Sequence, residues 1–349
     1  MTAQSSSTVP RVLVIGPGVF GRALASCADQ GGAEVTLLGL NAEAMEPARQ
    51  EATHWQNVTM LTMDESGTAA LTGLHFDLAI LAVPCQALRS VCEWLNLQLF
   101  PKLSQSQPRP AVLCAAKGIE LNSQQLPHEI MESVLGKSVG IGVLSGPSFA
   151  KELQAGAPTA VVVASKSEKL IRVAEQILHR PYFRVYGSAD VVGVELGGAL
   201  KNVIATVAGV VDGLQLGHNA RAAVMTRGLG EMAQIGVAMG ADPMTFLGLS
   251  GLGDLILTCT GDLSRNRRFG LTIAREQDKP MSQVLAEIGQ VVEGYTTARS
   301  AYLLSQKLNL DTPIIKMVYE VLYEGRPVRD AVQHLLNREQ KGEFDWILK

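Results

Sequence analysis

The sequence predicts an α/β fold in which a doubly wound, mostly parallel sheet is followed by an all-α C-terminal half. Short apolar runs alternate with helical patterns through the first half of the chain. A glycine-rich turn directly follows the first of these runs, and strand patterns cease after about residue 189. Such alternation is typical of a parallel sheet that is covered by helices on both faces.

The predicted strands are short runs rich in branched apolar residues. They cover residues 11–15, 34–38, 58–62, 78–83, 110–115, 138–144, 159–164 and 183–186. Helical patterns lie between most of them, for example over residues 86–97 and 167–178. The C-terminal half has helical periodicity with Gly and Pro breaks, and its last predicted helix runs from Val328 to about residue 339.

The first strand runs into a G-x-G-x-x-G turn and then into a small-residue helical pattern over residues 23–28. In such a turn Gly16 permits the tight bend, Gly18 lets the backbone approach a pyrophosphate, and Gly21 lets helix and strand pack closely. The N–H groups of the first helical turn then face the phosphates. This order predicts a Rossmann-like dinucleotide-binding unit; the alternative is an ordinary turn between strand and helix.

The end of the second strand bears on the choice of coenzyme. An acidic residue there usually holds the ribose of NAD, but this chain has Gly39, Leu40 and Asn41. There is no basic partner for the 2′-phosphate of NADP either. However, without a carboxylate at this position, no negative charge repels that phosphate. We therefore predict NADP(H), with NAD(H) as the alternative. Arg22 is interpreted either as a phosphate ligand or as a solvated arginine at the start of the helix.

Composition is that of an ordinary α/β enzyme. The chain has 349 residues, a net charge of −3, 18% charged and 47% hydrophobic residues. These values favour two domains and give no indication of nucleic-acid binding. Five cysteines without C-x-x-C spacing indicate reduced thiols in a cytoplasmic protein, and the scattered histidines indicate no metal site. The longest apolar stretches, such as residues 78–83 and 160–164, are expected to be strands of the core and too short to span a membrane.

We expect three segments along the chain. Residues 1–10 are Ser/Thr-rich and predict a disordered tail. Residues 11–189 form the predicted dinucleotide-binding domain. Residues 190–349 form the predicted helical domain for substrate binding and catalysis, so that the substrate lies between the sheet and the helices.

Lys201 is the candidate proton donor. Its neighbours at three and four positions along a helix are glycine, alanine and isoleucine, so none offers an ion pair within the helix. Loss of hydration would lower its pKa toward neutrality, which suits an unpaired general acid and base. The alternative is a lysine that extends to the surface.

A later segment supplies a carboxylate and cations. Asp254 lies in a glycine turn, where it either caps the next helix or hydrogen-bonds the lysine or a substrate hydroxyl. Arg265 and Asn266 follow, and a guanidinium can grip a phosphate with two parallel hydrogen bonds. The alternative is a solvated basic end of a helix.

Nine motifs are spread from about residue 11 to about residue 336. They read GPGVFG (16–21), CAAKGIE (114–120), SGPSFAKEL (145–153), PTA (158–160), VELGGALKNVI (194–204), GHNARAAVMTRGLGEM (217–232), GLGDLILTCT (251–260), SRNRRFG (264–270) and GQVVEGY (289–295). In these motifs the chain closely resembles the bacterial type of NAD(P)-dependent glycerol-3-phosphate dehydrogenase.

The resemblance implies an oxidoreductase that reduces dihydroxyacetone phosphate to sn-glycerol 3-phosphate for glycerolipid synthesis, as a cytoplasmic homodimer. It implies Lys201 and Asp254 as catalytic residues. The implied substrate-binding residues are Lys117, Gly146, Ser148, Lys201, Asn202, Asp254, Ser264, Arg265 and Asn266. The implied coenzyme-binding residues are Gly16, Gly18, Val19, Phe20, Gly21, Lys117, Ala150, Arg265, Val291 and Glu293.

Several positions depart from the pattern of the family. Val19 and Phe20 stand where Ser-Trp or Ser-Tyr is common, and Cys85 stands where serine often follows the proline. We interpret Cys85 as structural, because sheltered cysteines usually behave as small apolar residues. Two other functions stay open on the residues alone: a related dehydrogenase of 2-keto or 3-hydroxy acids, and a coenzyme-sensing protein without catalysis.

Overall fold

A computed structural model describes residues 9–339 and 342, and in this part of the chain eight strands form one sheet. The strands are β1 (Arg11–Ile15), β2 (Glu34–Gly39), β3 (Val58–Thr62), β4 (Leu78–Leu81), β5 (Ala111–Cys114), β6 (Ile141–Ser145), β7 (Thr159–Ser165) and β8 (Phe183–Ser188). Their order across the sheet is β3-β2-β1-β4-β5-β6-β7-β8. All neighbouring pairs are parallel except β6 and β7, which are antiparallel. The predicted mostly parallel sheet is confirmed.

All eight predicted strands are present, but the predicted bounds of three strands extended too far. β4 ends at Leu81 rather than at residue 83, β5 loses one residue at each end, and β6 begins at Ile141 rather than at residue 138. The residues beyond the carboxyl ends of β4 and β5 are apolar, and so resemble strand in sequence. They leave the sheet to form the turns that surround the candidate site.

Fifteen α-helices are found in the described residues. They are α1 (Val19–Gln30), α2 (Ala42–Glu51), α3 (Glu65–Ala70), α4 (Leu88–Trp94), α5 (Pro127–Leu135), α6 (Ala150–Gln154), α7 (Glu168–Leu178), α8 (Val191–Gly213), α9 (Gly217–Ala238), α10 (Asp254–Thr260), α11 (Arg265–Arg275), α12 (Met281–Ile288), α13 (Glu293–Lys307), α14 (Pro313–Tyr323) and α15 (Val328–Leu336). Short 3₁₀ or π turns adjoin several of them.

The predicted helices lie where the structure has helices, but the residues at which they begin or end differ. The helix predicted over residues 86–97 is α4 flanked by a 3₁₀ turn and a π turn, and α15 ends at Leu336 rather than near residue 339. The helix predicted over residues 167–178 is α7, with Ser167 as its N-cap. No strand follows β8 in the described residues. Residues 1–8 of the predicted N-terminal tail lie outside the described residues.

The sheet has a core on each face because successive side chains of a strand point in opposite directions. Val12 and Val14 of β1 pack in one core with residues of α1 and α7. Leu13 and Ile15 pack in the other core with residues of α4 and α5. A third core is centred on α8 and lies mostly in the helical half, with Ile119 and Leu126 of the sheet half packed into it. The prediction that helices cover both faces of the sheet is therefore confirmed.

Helix α8 joins the two halves of the molecule. It packs against β6 and β7 on one side and against α9, α10, α11 and α13 on the other. With 23 residues and a mean hydropathy of 1.4 over its most apolar window, it is long and apolar enough to cross a membrane. The expectation that apolar stretches are too short to do so was therefore wrong for α8. Its window is 94% buried inside the protein, however, so α8 is a core helix.

Candidate active site

The carboxyl ends of β1, β4, β5 and β6 lie along one edge of the sheet, because these strands are neighbours and parallel. The turns that follow them carry Gly16, Ala82, Lys117 and Gly146. Helix α8 passes this edge and places Lys201 beside it. Parallel α/β sheets bind ligands at this kind of edge.

The glycine turn has the geometry that phosphate binding needs. Gly16 has φ +105°, and a Cβ there would lie 2.5 Å from the carbonyl oxygen of Ala82. A Cβ on Gly21 would lie 1.9 Å from the carbonyl oxygen of Gly16. A Cβ on Gly18, in contrast, would meet nothing within 4 Å, so the backbone is open there. Gly18 precedes α1 without a side-chain cap, so the helix N-terminus offers N–H groups beside Val19 and Phe20. These features fit a dinucleotide pyrophosphate.

Arg22 has a structural role that neither of its two interpretations foresaw. Its side chain is buried; Nη1 donates to the carbonyl oxygen of Pro17 at 2.8 Å, and Nε donates to Glu51 at 2.9 Å. The guanidinium therefore links the glycine turn to the end of α2. The interpretation as a solvated arginine was therefore wrong, while a contact with a phosphate stays a prediction.

The turn after β2 has no charge on the side chains at positions 39–41. Leu40 is 72% exposed, and the side chain of Asn41 caps α2 by accepting from the backbone N–H of Ala44 at 2.8 Å. This surface neither attracts nor repels a 2′-phosphate.

Lys201 is buried in α8 and lies in a cluster of three charged groups. Its Nζ donates to Asp254 Oδ1 at 2.5 Å, while Lys117 Nζ donates to Asp254 Oδ2 at 2.8 Å. Lys117 Nζ also donates to the carbonyl oxygen of Gly146 at 2.9 Å. The expectation of an unpaired ammonium was therefore wrong. The partner lies 53 residues away on α10, where periodicity along a helix gives no signal of it.

Burial and charge act on this cluster in opposite directions. Burial lowers the pKa of Lys201 to about 8, helped by the positive charge of Lys117 and opposed by Asp254. Burial alone would raise the pKa of Asp254, but the ammonium groups of Lys117 and Lys201 outweigh it and lower that pKa below its ordinary value. Near neutral pH the cluster thus holds a charged carboxylate and a lysine that is close to its titration point. A lysine of this kind can both give and take a proton.

Thr258 completes the surroundings of Lys201 and was missed in the sequence. Its Oγ1 accepts from Lys201 Nζ at 2.8 Å and donates to the backbone carbonyl oxygen of Asp254 at 2.6 Å. The available signal was its position, four residues after Asp254 and hence on the same side of a helix. An ammonium group has three hydrogens, and these contacts occupy two of them.

The basic segment begins α11. Ser264 is its N-cap, and its buried Oγ accepts from the backbone N–H of Arg267 at 3.2 Å. Arg265 follows with an exposed side chain, while Asn266 is buried. Asn266 Nδ2 donates to Asn202 Oδ1 at 2.8 Å, which leaves one amide hydrogen for another partner.

Glu293 contacts the sheet half from the start of α13. Its Oε1 accepts from the backbone N–H of Cys85 at 3.2 Å, and its Oε2 is buried without a hydrogen-bond partner. Burial raises the pKa of Glu293, opposed by the Cys85 N–H and the charge of Arg265. An unpaired buried carboxylate oxygen is costly, and so it favours a ligand that donates to it.

The cysteines behave as the sequence predicts. All five, at positions 27, 85, 92, 114 and 259, are free and buried. Burial raises the pKa of Cys85 far above its usual range, which agrees with a structural role rather than a nucleophilic one.

Direct contacts therefore connect seven of the predicted site residues. They are Lys117, Gly146, Ser148, Lys201, Asn202, Asp254 and Asn266. Ser148 joins through its hydroxyl, which donates to the carbonyl oxygen of Gly146 at 3.0 Å. Ala150 begins α6, and the half-exposed Val291 comes two residues before α13. The assignment of substrate and coenzyme contacts to all these residues remains a prediction.

Comparison with known proteins gives consistent matches over nearly the whole chain. Residues 11–171 match the family described as NAD-dependent glycerol-3-phosphate dehydrogenase N-terminus. Residues 190–333 match the family described as NAD-dependent glycerol-3-phosphate dehydrogenase C-terminus.

Individual proteins give the same result. The chain is 43% identical to a glycerol-3-phosphate dehydrogenase [NAD(P)+] of Geobacter metallireducens, with 95% of this chain and 98% of that one covered. It is 44% identical to the corresponding protein of Geobacter sulfurreducens, with 95% and 98% covered. The crystal structure of glycerol-3-phosphate dehydrogenase from Coxiella burnetii is 33% identical with a TM-score of 0.85, and covers 95% of this chain and 99% of that one.

Proposed function

Because the chain belongs to the family of NAD(P)-dependent glycerol-3-phosphate dehydrogenases, and is therefore an oxidoreductase, we propose that Lys201 is its general acid and base. The reaction is the reversible, NAD(P)H-dependent reduction of dihydroxyacetone phosphate to sn-glycerol 3-phosphate. The observation that carries the role of Lys201 is its buried ammonium group beside Asp254 and Lys117, at the carboxyl edge of the sheet.

The residues that would hold the coenzyme lie in three turns. The N–H groups at the start of α1, with Gly16, Gly18, Val19, Phe20 and Gly21, would hold the pyrophosphate. Arg265, Val291, Glu293, Ala150 and Lys117 would hold the nicotinamide end. The coenzyme supplies the hydride that adds to C2 of the substrate. The free oxygen of Glu293 is an acceptor for an amide N–H group.

Lys201 then supplies the proton. As the hydride adds to C2, the carbonyl π bond breaks and its electron pair moves to oxygen, which takes a proton from Lys201 Nζ. The third ammonium hydrogen is available for that oxygen, since Asp254 and Thr258 hold the other two. The positive charge of the buried Lys201 stabilises the developing alkoxide. Solvent then returns a proton to Lys201.

Neighbouring residues fix the substrate. Asp254 orients Lys201 and Lys117, and Arg265 with Ser264 and Asn266 would bind the phosphate group. The phosphate is remote from the reacting carbon, so its binding energy serves to position C2 against the hydride donor. Gly146 and Ser148 complete the predicted substrate pocket.

For the choice of coenzyme, we propose that NADPH is preferred and NADH accepted. The turn after β2 carries no carboxylate to repel a 2′-phosphate, and Leu40 leaves it open to solvent. Initial rates with NADPH and NADH side by side test this, and a higher kcat/KM for NADH would contradict it.

The wild-type protein should oxidise NADPH when dihydroxyacetone phosphate is added, as measured by loss of absorbance of the reduced nicotinamide. Lys201→Ala should lower kcat by at least about 100-fold, the usual minimum for a general acid, while coenzyme affinity is retained. Lys166→Ala, at an exposed lysine of the sheet half, is the matched control. Near-normal turnover of Lys201→Ala would refute the proton-transfer role.

The substrate class is tested in the same assay. A 2-keto acid would also suit Arg265, so a panel of 2-keto acids and 3-hydroxy acids is compared with dihydroxyacetone phosphate. We expect turnover only with the phosphorylated ketone.

We further propose a cytoplasmic homodimer that supplies glycerolipid synthesis. Five buried free thiols suit a reducing compartment. Exposed apolar side chains lie just before α9 (Leu216), near its end (Val237) and in the turn after it (Met244), and they suit contact with a second copy. Light scattering should give twice the mass of the chain, and a monomer at micromolar concentration would contradict the proposal.

A further inference from the structure

Two buried asparagines form a hydrogen-bond chain between the segment proposed to hold the nicotinamide and Lys117. The backbone N–H of Gly294, at the start of α13, donates to Asn266 Oδ1 at 2.9 Å. Asn266 Nδ2 donates to Asn202 Oδ1 at 2.8 Å. Asn202 Nδ2 donates to the backbone carbonyl oxygens of Lys117 at 3.4 Å and of Gly198 at 3.3 Å.

The direction of this chain is fixed at both ends by backbone groups. The N–H of Gly294 can only donate, so Asn266 must present its oxygen to it and its nitrogen to Asn202. Asn202 must then present its own nitrogen to the two carbonyl oxygens. All three links therefore run in the same sense, from α13 through α11 and α8 to the turn after β5.

The fit of α13 against the asparagines is tight. A Cβ on Gly294 would lie 2.7 Å from the carbonyl oxygen of Asn202, 2.8 Å from Asn266 Oδ1 and 3.0 Å from Thr206 Oγ1. Only glycine lets the start of α13 come this close. In return Asn266 caps an N–H group of α13 that no residue of that helix satisfies.

We propose that Asn202 and Asn266 are positioning residues, which set Lys117 according to the position of the coenzyme-binding segment at the start of α13. Asn202 is buried, and both of its amide hydrogens are directed to backbone carbonyls, so it has none left for the substrate. Asn266 has one free amide hydrogen, but its oxygen and its other hydrogen belong to the chain. Lys117 reaches Asp254 and thereby Lys201, so the chain ends on the catalytic cluster. This inference rests on the proposed function, because it names residues that position Lys117 for that reaction.

The test compares three variants that break the chain at different points: Asn202→Ala, Asn266→Ala and Gly294→Ala. The last leaves both asparagines intact and displaces only the start of α13. Three quantities are measured: the Kd of NADPH without substrate, by fluorescence titration; turnover of dihydroxyacetone phosphate; and the slow turnover of dihydroxyacetone, which has no phosphate.

If the asparagines are positioning residues, each variant weakens NADPH binding about tenfold, as expected for one lost buried hydrogen bond. Each variant also lowers kcat by a similar factor with both substrates. The double variant Asn202→Ala/Asn266→Ala is then no worse than the more affected single variant, because one break already interrupts the chain.

If Asn266 is only a phosphate ligand, Asn266→Ala raises the KM of dihydroxyacetone phosphate and leaves both NADPH binding and dihydroxyacetone turnover unchanged. Unchanged NADPH binding in Asn202→Ala and Gly294→Ala overturns the proposal. The Kd measurement needs no turnover, so a wild-type protein without activity would refute the proposed function and still test the chain.

Thr297→Val is the matched control. Thr297 lies on α13, three residues after Gly294, and its buried hydroxyl has no hydrogen-bond partner. Its replacement removes a buried polar atom from the same helix without touching the chain, so NADPH binding and turnover should be unchanged. Thermal unfolding of each variant shows that it is folded, and Asn266→Asp serves as a near-isosteric second variant if Asn266→Ala does not fold. The aspartate keeps the acceptor for Gly294 but loses the donor to Asn202, so the same weakening is expected.

Discussion

Single residues set the chemistry of the candidate site, and their partners lie far away in sequence. Lys201 could be singled out because its neighbours three and four positions away in α8 are two glycines and two apolar residues. The hydrogen bond to Asp254 was one of the alternatives that the sequence left open, and the structure confirms it. Thr258 was missed, because it lies on α10 and the approach of α10 to α8 is a tertiary contact. Arg22 also has a partner that its local sequence did not indicate. Its position beside the glycine turn suggested a phosphate ligand, but Glu51 at the end of α2 binds it instead.

The rate of reduction should depend on the protonation of Lys201. With a pKa of about 8, Lys201 carries its proton below that value, so reduction should be constant there and fall as the pH rises through 8. Oxidation of glycerol 3-phosphate needs the neutral amine and should rise over the same range. Asp254→Asn removes the charge that raises the pKa of Lys201, so the fall in reduction should move to lower pH. Profiles of kcat against pH in both directions check this, and a fall that Asp254→Asn leaves in place would contradict it.

Arg265→Ala should act mainly on the phosphorylated substrate. Loss of a hydrogen bond between charged groups costs about 1.5–3 kcal/mol, so KM for dihydroxyacetone phosphate should rise roughly 10- to 100-fold. Arg268→Ala, an exposed arginine one helical turn further along α11, is the control and should change KM little. An unchanged substrate KM in Arg265→Ala would rule out a role in phosphate binding.

The strands were predictable in number and order, because most of them are short runs rich in branched apolar residues between turn residues. Their ends were less predictable. Residues 82–83 continue the apolar run of β4, but the chain must leave the sheet there to pass Gly16. The reversal of β7 against β6 also left no signal in the sequence, since parallel and antiparallel central strands are equally apolar.

Helices α8 and α11 pack at a distance that only glycine permits. A Cβ on Gly209 would lie 2.0 Å from the carbonyl oxygen of Arg267, and a Cβ on Gly270 would lie 1.9 Å from that of Thr206. Gly270→Ala must therefore push the two helices apart. It should lower the free energy of unfolding by about 1–3 kcal/mol, the usual cost of overpacking, as measured by urea denaturation.

Gly140→Ala is the control for this change. Its Cβ would lie 3.7 Å from the Cβ of Ala111, an ordinary contact, so stability should change by less than about 0.5 kcal/mol. Equal stability of Gly270→Ala and the wild type would show that the helices can separate without loss.

At the scale of the whole molecule, the sheet half and the helical half are joined by side-chain contacts between them. They include Lys117 to Asp254, the Cys85 N–H to Glu293, and the backbone N–H of His128 to Glu195 at 2.7 Å. The change in composition near residue 189 indicated two halves, and β8 and α8 lie on either side of it. Composition did not indicate that α8 packs against both halves. A helix that is buried on all sides has no polar face, so its sequence does not show which side faces which half.

The shared helix predicts that the two halves unfold together. Trp55 and Trp94 lie in the sheet half, so in a Trp346→Phe background tryptophan fluorescence reports on that half alone. Far-UV circular dichroism is dominated by the C-terminal half, which contains the two longest helices, α8 with 23 and α9 with 22 residues. The two signals should show coincident urea transitions. Separate transitions would mean that α8 does not couple the halves, and would favour two independent domains with a boundary near residue 190.

The burial of all five thiols has a practical consequence for measuring motion of the two halves relative to each other. Maleimide dyes react with accessible thiolates, and the native side chains present none, so no background substitutions are needed before labelling. One cysteine introduced at exposed Lys166 and another at exposed Leu336 would give a donor and an acceptor dye on opposite halves. Single-molecule energy transfer between them would then report whether ligands draw the halves together.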